Sequence, residues 1–313
     1  MIAPSYRRYK LPLTSGQVRH GLLLHWRGAW GDAAPLDGWS SETCDDLVRY
    51  LSNYPSLDAI PTNFPSLQCA IEGLMASEEN FQHWPIRHAK VPINALLQGT
   101  VSEILNQAKR ALAQGCVCLK IKTTHVPLDA LPRLLKVIRE FSECTFRLDS
   151  NRSWTFETCM SVAQDLDGLP VEYLEEPLRK GESLPRLIAH CPVPIALDET
   201  LREIGADELR RYQGAVALVL KPTLMGGFET CARFAQAGAS LGMKSVVSAC
   251  YESGVGIYAL GRFAASLELI GAAGLDTYSH IQKDLLSRRL SLESYNFCSS
   301  AELPSVDEST LLD

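Results

Sequence analysis

Little in this 313-residue chain points to a membrane, a nucleic acid or a metal–thiolate site. No apolar run approaches the roughly eighteen residues of a spanning helix. There is no basic surplus. Lys and Arg number 30 against 36 Asp and Glu, a net charge of −6, which excludes phosphate-backbone binding as the main activity. The start, MIAPSYRRYKLPL, lacks the long apolar segment and small-residue cleavage site of a secretory leader, so a cytoplasmic protein is expected. Low-complexity tracts and short repeats are missing. The ten cysteines include no C-x-x-C, and His and Cys nowhere fall at zinc-finger spacing. Several of the cysteines (Cys116, Cys118, Cys250) lie inside apolar runs, where they read as reduced, buried, small hydrophobes.

What the chain does have, from about residue 89 onward, is a series of short apolar runs with helix-like segments between them. The runs are KVPINALL (90–97), CVCLKIK (116–122), TFRLDSN (145–151), VEYLEEP (171–177), VPIALDE (193–199), AVALVLKP (215–222), KSVVSAC (244–250) and, more weakly, GLDTYS (274–279). Segments such as SEILNQAKRALAQG carry apolar residues at three- and four-residue spacing, as amphipathic helices do. Polar residues close the runs. The intervals from Leu97 through Lys122, Asp149, Glu175, Asp198 and Lys221 to Ser248 are 25, 27, 26, 23, 23 and 27 residues.

A strand, a helix and two loops fill about that length, and eight such units form a (β/α)8-type, modified TIM barrel of the α/β class. In that fold the active site lies at the C-terminal strand ends, where these ionisable residues fall. The N-terminal part reads differently. YRRYKLPL and GLLLHWRG suggest antiparallel strands joined by TSGQVRH, and AWGDAAPLDGWSSET leads into helical stretches such as CDDLVRYLSNY. The expected division is an α+β capping (lid) domain at 1–88, rejoined by the tail 286–313, and a barrel catalytic domain at 89–285. Parts of 14–20 and 35–42 are expected to close over the strand ends and exclude water.

Asp149, Glu175 and Asp198 end three successive runs. Three converging carboxylates repel one another, and a divalent cation removes that cost. An oxygen-only set favours a hard ion such as Mg²⁺, with Mn²⁺ as a possible substitute. The carboxylate oxygens are then expected to converge on one point at the barrel mouth. Pairing of each carboxylate with a nearby Arg or Lys is the open alternative. Lys120 and Lys122, two apart on a strand, share one face on one flank of the trio, and Lys221 lies on the other. A cation holding a substrate carboxylate would acidify the adjacent C–H, and a neutral lysine could take that proton. Two ammoniums about 6.6 Å apart repel by roughly 2.5 kcal/mol at an effective dielectric near 20, which helps to lower a lysine pKa.

The order K-x-K, D-x-N, E-E-P, D-E, K-P resembles the enolase superfamily in its muconate-lactonising-like branch, and within it the o-succinylbenzoate synthases. The residues that carry the likeness are KIK (120–122), RLDSNRSWT (147–155), YLEEPL (173–178), ALDETLRE (196–203), LKPTLMGG (220–227) and ACYESGVG (249–256), with WGDAAPLDGWSSET (30–43) and GLDTYS (274–279). The resemblance implies that Asp149, Glu175 and Asp198 bind one Mg²⁺. It makes Lys122 the base, Lys221 the electrostatic partner of the enediolate, and Lys120 an assisting charge. Arg147 would orient Asp149 or the substrate, and Asn151 would be a donor behind the ligands. The implied reaction is syn dehydration of 2-succinyl-6-hydroxy-2,4-cyclohexadiene-1-carboxylate to 2-succinylbenzoate, a step toward menaquinone or phylloquinone. The implied partner is a small-molecule carboxylate, with no nucleic acid and no membrane. The alternative is an N-succinylamino acid racemase, a dipeptide epimerase or a cycloisomerase, since racemases use both flanking lysines.

The seventh-strand segment SACYESG departs from the family, with Ala249, Cys250 and Gly254 where many relatives carry serine. Ser248, Glu252 and Ser253 remain as candidates to hold the substrate's succinyl end. Arg19 is the one fixed cation of the short lid loop. His125, His190 and His280 lack ligand-spaced partners and read as structural.

Overall fold

The computed structural model describes residues 4–53, 60–78 and 84–312. Tyr54, the last residue of the expected stretch CDDLVRYLSNY, lies outside the described residues, as do parts of the lid range and Asp313. The N-terminal hairpin forms as its alternation demands. β1 (Ser5–Pro12) pairs antiparallel with β2 (Val18–Trp26). The joining loop is shorter than TSGQVRH, because Val18, Arg19 and His20 already pair with Pro12, Leu11 and Lys10. β2 returns through Arg27 and Gly28, at φ 49° and 85°, into β3 (Ala29–Ala33). Two left-handed central residues match the right-handed strand twist of a type I′ hairpin.

α1 (Cys44–Asn53) and α2 (Pro65–Glu78) follow. Leu22 and Leu24 pack with Leu47, Leu67, Ile71 and Leu74 in a small core of their own. Tyr9, Leu11 and Leu23 belong instead to the main core. Successive side chains leave a strand on opposite faces, so the unbroken run Leu22–Leu23–Leu24 marks a sheet buried on both sides.

The run 90–97 is two strands rather than one. β4 (Lys90–Pro92) and β5 (Ala95–Leu97) are separated where the Ile93 and Asn94 amides bond Tyr295 and Ala273 carbonyls. The chain then alternates through α3 (Val101–Ala113), β6 (Cys118–Lys122), α4 (Leu131–Arg139), β7 (Thr145–Asp149), α5 (Phe156–Asp165), β8 (Val171–Glu175), α6 (Leu184–His190), β9 (Ile195–Leu197), β10 (Ala217–Leu220), α7 (Pro222–Met225), α8 (Phe228–Ala239), β11 (Lys244–Val247) and α9 (Gly254–Ser266). α3 starts with a capping box, Thr100 and Glu103 exchanging side-chain and backbone bonds.

β5 to β11 lie side by side in chain order as a curled parallel sheet of seven strands. Leu119, Ile121, Phe146, Leu148, Leu174, Ile195, Leu197, Leu218 and Leu220 join helix residues such as Ile104, Leu135 and Ile138 in the main core. Residues of the opposite parity, Tyr173, Ala196, Ala217 and Val246, form a separate small cluster. The eighth run differs from expectation, because Asp276–His280 is a 3-10 helix and not a strand. The strand-like segment precedes it. Leu269, Gly271 and Gly274 bond Ser245 and Val247 of β11, and Ala273 bonds Pro92 and Asn94 beside β5. β12 (Asn296–Cys298) pairs with β4, and β13 (Leu311–Leu312) adds to β1, so the tail returns to the N-terminal sheet.

Candidate active site

Strand register builds the site. Lys122 pairs with Asp149, and Asp149 with Glu175, so three strand ends present their side chains in one row. The row beneath is Lys120, Arg147 and Tyr173. Asp198 and Lys221 directly follow β9 and β10. Asp149 and Glu175 are 1% exposed and Asp198 3%.

Lysines meet these carboxylates directly. Lys122 Nζ donates to Asp149 Oδ2 at 2.6 Å and to Asn151 Oδ1 at 3.0 Å. Lys120 Nζ lies 2.9 Å from the same Asp149 oxygen and 2.6 Å from Glu175 Oε1, bridging two strands. Lys221 Nζ donates to Asp198 Oδ2. Lys120 and Lys122 therefore do share a face. The carboxylate oxygens do not converge on one point, and among the described residues no group of three or more His, Cys, Asp or Glu is arranged to hold a metal. Each carboxylate is turned onto an ammonium instead, which was the open alternative.

Burial raises Asp149, but the charges of Lys120 and Lys122 outweigh it and hold its carboxyl well below the usual range. Burial and then the charge of Asp149 push Glu175 up to about 7, against the pull of Lys120. Burial lifts Asp198 as well, despite Lys221. Burial alone would lower Lys120 and Lys221, yet the carboxylates, Asp149 foremost at Lys120 and Asp198 at Lys221, raise both. The repulsion expected between the paired lysines is thus overridden at Lys120. Among the ligand candidates, the buried Glu175 Oε2 has no hydrogen-bond partner, as is also true of the nearby Tyr173 hydroxyl and Glu199 Oε2.

The other candidate residues divide. The backbone N–H of Asn151 donates to Asp149 Oδ1 at 2.9 Å, while its side-chain oxygen accepts from Lys122. Arg147 does not reach Asp149. It lies one row lower, about 6.6 Å down the strand, where its guanidinium bonds Glu172 Oε2 at 2.6 Å, Asn94 Oδ1 at 3.1 Å and the Ala272 carbonyl at 2.6 Å. It also stacks on Tyr173, 5.0 Å from the ring centre, and so ties β7 to its neighbours in the curled sheet. Ser253 is turned away from the mouth: its N–H and Oγ both donate to Asp32 Oδ2, at 2.8 and 2.7 Å. Both Glu252 oxygens are engaged, by Thr223 Oγ1 and the Cys250 amide, each at 2.5 Å. Ser248 is buried, and its amide bonds the Leu220 carbonyl.

The Ser253–Asp32 bonds belong to a seam between the N-terminal sheet and the helices of the parallel sheet. Asp32 of β3 takes the Tyr9 hydroxyl at 2.7 Å as well as the two Ser253 donors at the start of α9. Glu72 of α2 accepts from the Glu229 amide at 3.0 Å, at the start of α8. A Cβ on Gly227 (φ +97°) would lie 2.3 Å from that carboxylate. Arg19 is buried, and its guanidinium donates to the carbonyls of His20, Ala34, Pro35 and Cys250. It clamps both lid segments to the seventh-strand loop. A cavity of about 450 Å³ lies there, lined by Thr14, Gln17, Arg19, Leu36, Asp37, Gln98, Tyr251 and His280. Residues of 14–20 and 35–42 thus line one cavity with Gln98, just after β5, and Tyr251, in the loop after β11.

Sequence reasoning passed over Glu176, Asp32, Glu72 and Thr223. The doubled glutamate of EEP was the one visible signal among them.

Residues 103–295 match the family model of the enolase C-terminal domain-like proteins. The chain is 27% identical over 310 residues to the o-succinylbenzoate synthase of Enterobacter sp. (strain 638), covering 90% of this chain and 92% of that one. It is 30% identical over 271 residues to Protein PHYLLO, chloroplastic, of Arabidopsis thaliana, spanning 73% of this chain but only 16% of PHYLLO. Among solved structures, the L-Ala-D/L-Glu epimerase of Bacillus subtilis superposes with a TM-score of 0.86 at 19% identity, covering 97% of both chains. Muconate lactonizing enzyme from Pseudomonas putida gives 0.84 at 16%, covering 98% of this chain and 97% of that one. At such identities the two structures establish the fold.

Proposed function

The chain belongs to the enolase C-terminal domain-like family, and on that premise we propose that it is an o-succinylbenzoate synthase. The observation that carries this reading is the likeness to bacterial synthases over nine-tenths of both chains, with lysines on both sides of three buried strand-end carboxylates. The same reading takes the sheet as an eight-unit barrel closed through residues 269–274, and residues 1–88 with the tail 286–313 as its lid.

The residues fit a hard cation. Asp149, Glu175 and Asp198 offer oxygen alone, and the unpartnered Glu175 Oε2 is a buried acceptor for which the protein supplies no donor. Asp149, Glu175 and Asp198 would hold Mg²⁺, or Mn²⁺ in its place. Bound there, the ion would supply the Lewis acidity that acidifies the C–H beside the substrate carboxylate. Lys122 Nζ, as the neutral amine, takes the proton from C1 of 2-succinyl-6-hydroxy-2,4-cyclohexadiene-1-carboxylate. Asn151 Oδ1, 3.0 Å away, orients that amine. Lys221 meets the negative charge that builds on the substrate carboxylate. The C6–O bond breaks, and the proton on Lys122 leaves with the hydroxide as water. The ring becomes aromatic, which drives the elimination. Lys120 holds Asp149 and Glu175 at their spacing. None of the ten cysteines is disulfide-bonded, as a reducing compartment such as the cytoplasm would leave them. No described helix is long and apolar enough to cross a membrane.

The test is direct. Purified protein with Mg²⁺ should convert the cyclohexadiene carboxylate to 2-succinylbenzoate, followed by ultraviolet absorbance. The two flanking lysines also suit a racemase, so a panel of N-succinylamino acids should be run beside it. Racemisation with no dehydration would replace the synthase reading.

A further inference from the structure

Glu176, the second glutamate of EEP, has no part in the reaction drawn above. We propose that it is a positioning residue that fixes the mutual spacing of Asp149, Glu175 and Asp198 by tying the ends of β7, β8 and β9 together. The proposal rests on the reading of those three carboxylates as cation ligands.

Consecutive strand residues point to opposite sides, so with Glu175 facing the barrel mouth, Glu176 turns behind it. Its side chain is 3% exposed, and both oxygens are engaged. Oε2 accepts from the amides of Asp198 at 2.9 Å and Thr200 at 3.3 Å. Oε1 accepts from Thr200 Oγ1 at 2.5 Å and from Arg152 Nη2 and Nε at 2.8 and 3.1 Å. One carboxylate therefore grips the backbone of one ligand itself, and the residue three beyond another. Main-chain bonds run the same way: the Glu176 amide donates to Ala196, and the Arg152 amide donates to Glu176.

The backbone around this knot is unusual. Glu176, Asn151 and Arg152 stand at φ +37°, +49° and +54°, in the left-handed region that side chains other than glycine's rarely adopt. Asp198 is at φ −128° and ψ −86°, outside both helix and strand. Conformations of this kind persist where the surroundings over-determine them, and Glu176 is the partner that Arg152 and Asp198 share. A salt bridge that only held the fold would have no need of the amide of Asp198.

Glu176→Gln keeps the shape but must turn an NH2 group toward either the Asp198 and Thr200 amides or Arg152, so one side is lost. Titration calorimetry of the full chain with MgCl2, without substrate, should show Mg²⁺ affinity weakened by about 10- to 100-fold, the usual effect of removing a partner behind a ligand. The fall in kcat should be comparable and KM should change little, with the circular dichroism of the wild type retained. Thr200→Val removes the hydroxyl tie to Glu176, and Arg152→Gln the guanidinium tie together with its bonds to Thr200 and Glu203; each should weaken Mg²⁺ by a smaller factor, and they carry the test if Glu176→Gln does not fold. Folded variants with wild-type Mg²⁺ affinity and kcat, altered only in melting temperature, would overturn the proposal. A wild-type protein that takes up no Mg²⁺ would overturn the ligand reading and the proposal together.

Discussion

Two sets of buried carboxylates lie in this molecule, and they are satisfied in opposite ways. At the mouth formed by the strand ends of the curled sheet, Asp149, Glu175 and Asp198 meet lysine ammoniums. At the seam, Asp32, Glu72 and Glu252 meet hydroxyls, a side-chain amide and backbone N–H groups, with no lysine or arginine among the described residues bonded to them. The seam gains connection: each of its carboxylates closes a contact between segments far apart in the chain. The mouth gains little stability from its ion pairs, because desolvating both partners consumes most of the attraction. Charge arranged at such cost, with the buried Glu175 Oε2 left without a partner, sets the strand ends apart from the seam, which is built for connection.

Mutation should separate the two sets. The largest effect is expected for Lys122→Ala, which should lower kcat by about 10³-fold through loss of the base, with substrate-analogue binding nearly intact by calorimetry. Lys221→Ala should cost about 10²- to 10³-fold in kcat through loss of a preorganised charge. At the seam, Asp32→Ala strands the Tyr9 hydroxyl and two Ser253 donors. It should reduce unfolding free energy by about 2 to 4 kcal/mol in denaturant melts, while kcat changes by less than about tenfold. A seam variant that lost turnover without losing stability would erase the distinction.

The smallest effect is also the sharpest, because Asp149, alone among the mouth carboxylates, should differ in sign with pH from the seam, whereas Glu175 and Asp198 are raised as the seam is. Burial, the largest influence on both, raises Asp32 and Glu252 above the ordinary carboxylate range. The unfolded chain loses those protons near pH 4 and the folded chain only at higher pH, so their contribution falls as pH rises through that window. Glu252→Gln should flatten that fall. Asp149 is held low, so its contribution is present above about pH 4 and is lost on acidification below it. Asp149→Asn should remove the acid-side loss. Melting temperatures from pH 3 to 8 read both slopes.

The mouth was legible in the sequence and the seam was not. Lys122, Asp149, Glu175, Asp198 and Lys221 stand at strand ends with regular spacing, and alternation alone puts Lys120 with Lys122. The Asp32–Ser253 contact joins residues 221 positions apart, and no local pattern announces it. Arg147 shows the limit of parity: it shares a face with Asp149 but lies a row below, and height along a strand is fixed by register. The eighth run failed for a related reason. Its pairing is made by the backbone of 269–274, while the polar motif after it, read as the strand, coils into a 3-10 turn.

The two-sided burial of the N-terminal sheet sets a timescale. Tyr9, Leu11 and Leu23 are at most 1% exposed and sit in the main core. Swinging the sheet away as a rigid flap would wet all three, at about 1.5 to 3 kcal/mol for each aliphatic or aromatic side chain, and would break the Asp32 and Glu72 contacts as well. Rigid-body hinge motions of domains run in microseconds to milliseconds, whereas loop motions run in nanoseconds to microseconds. Motion on the faster timescale is therefore left to the exposed segments around residues 14–17 and 37–39, which can move without wetting that core.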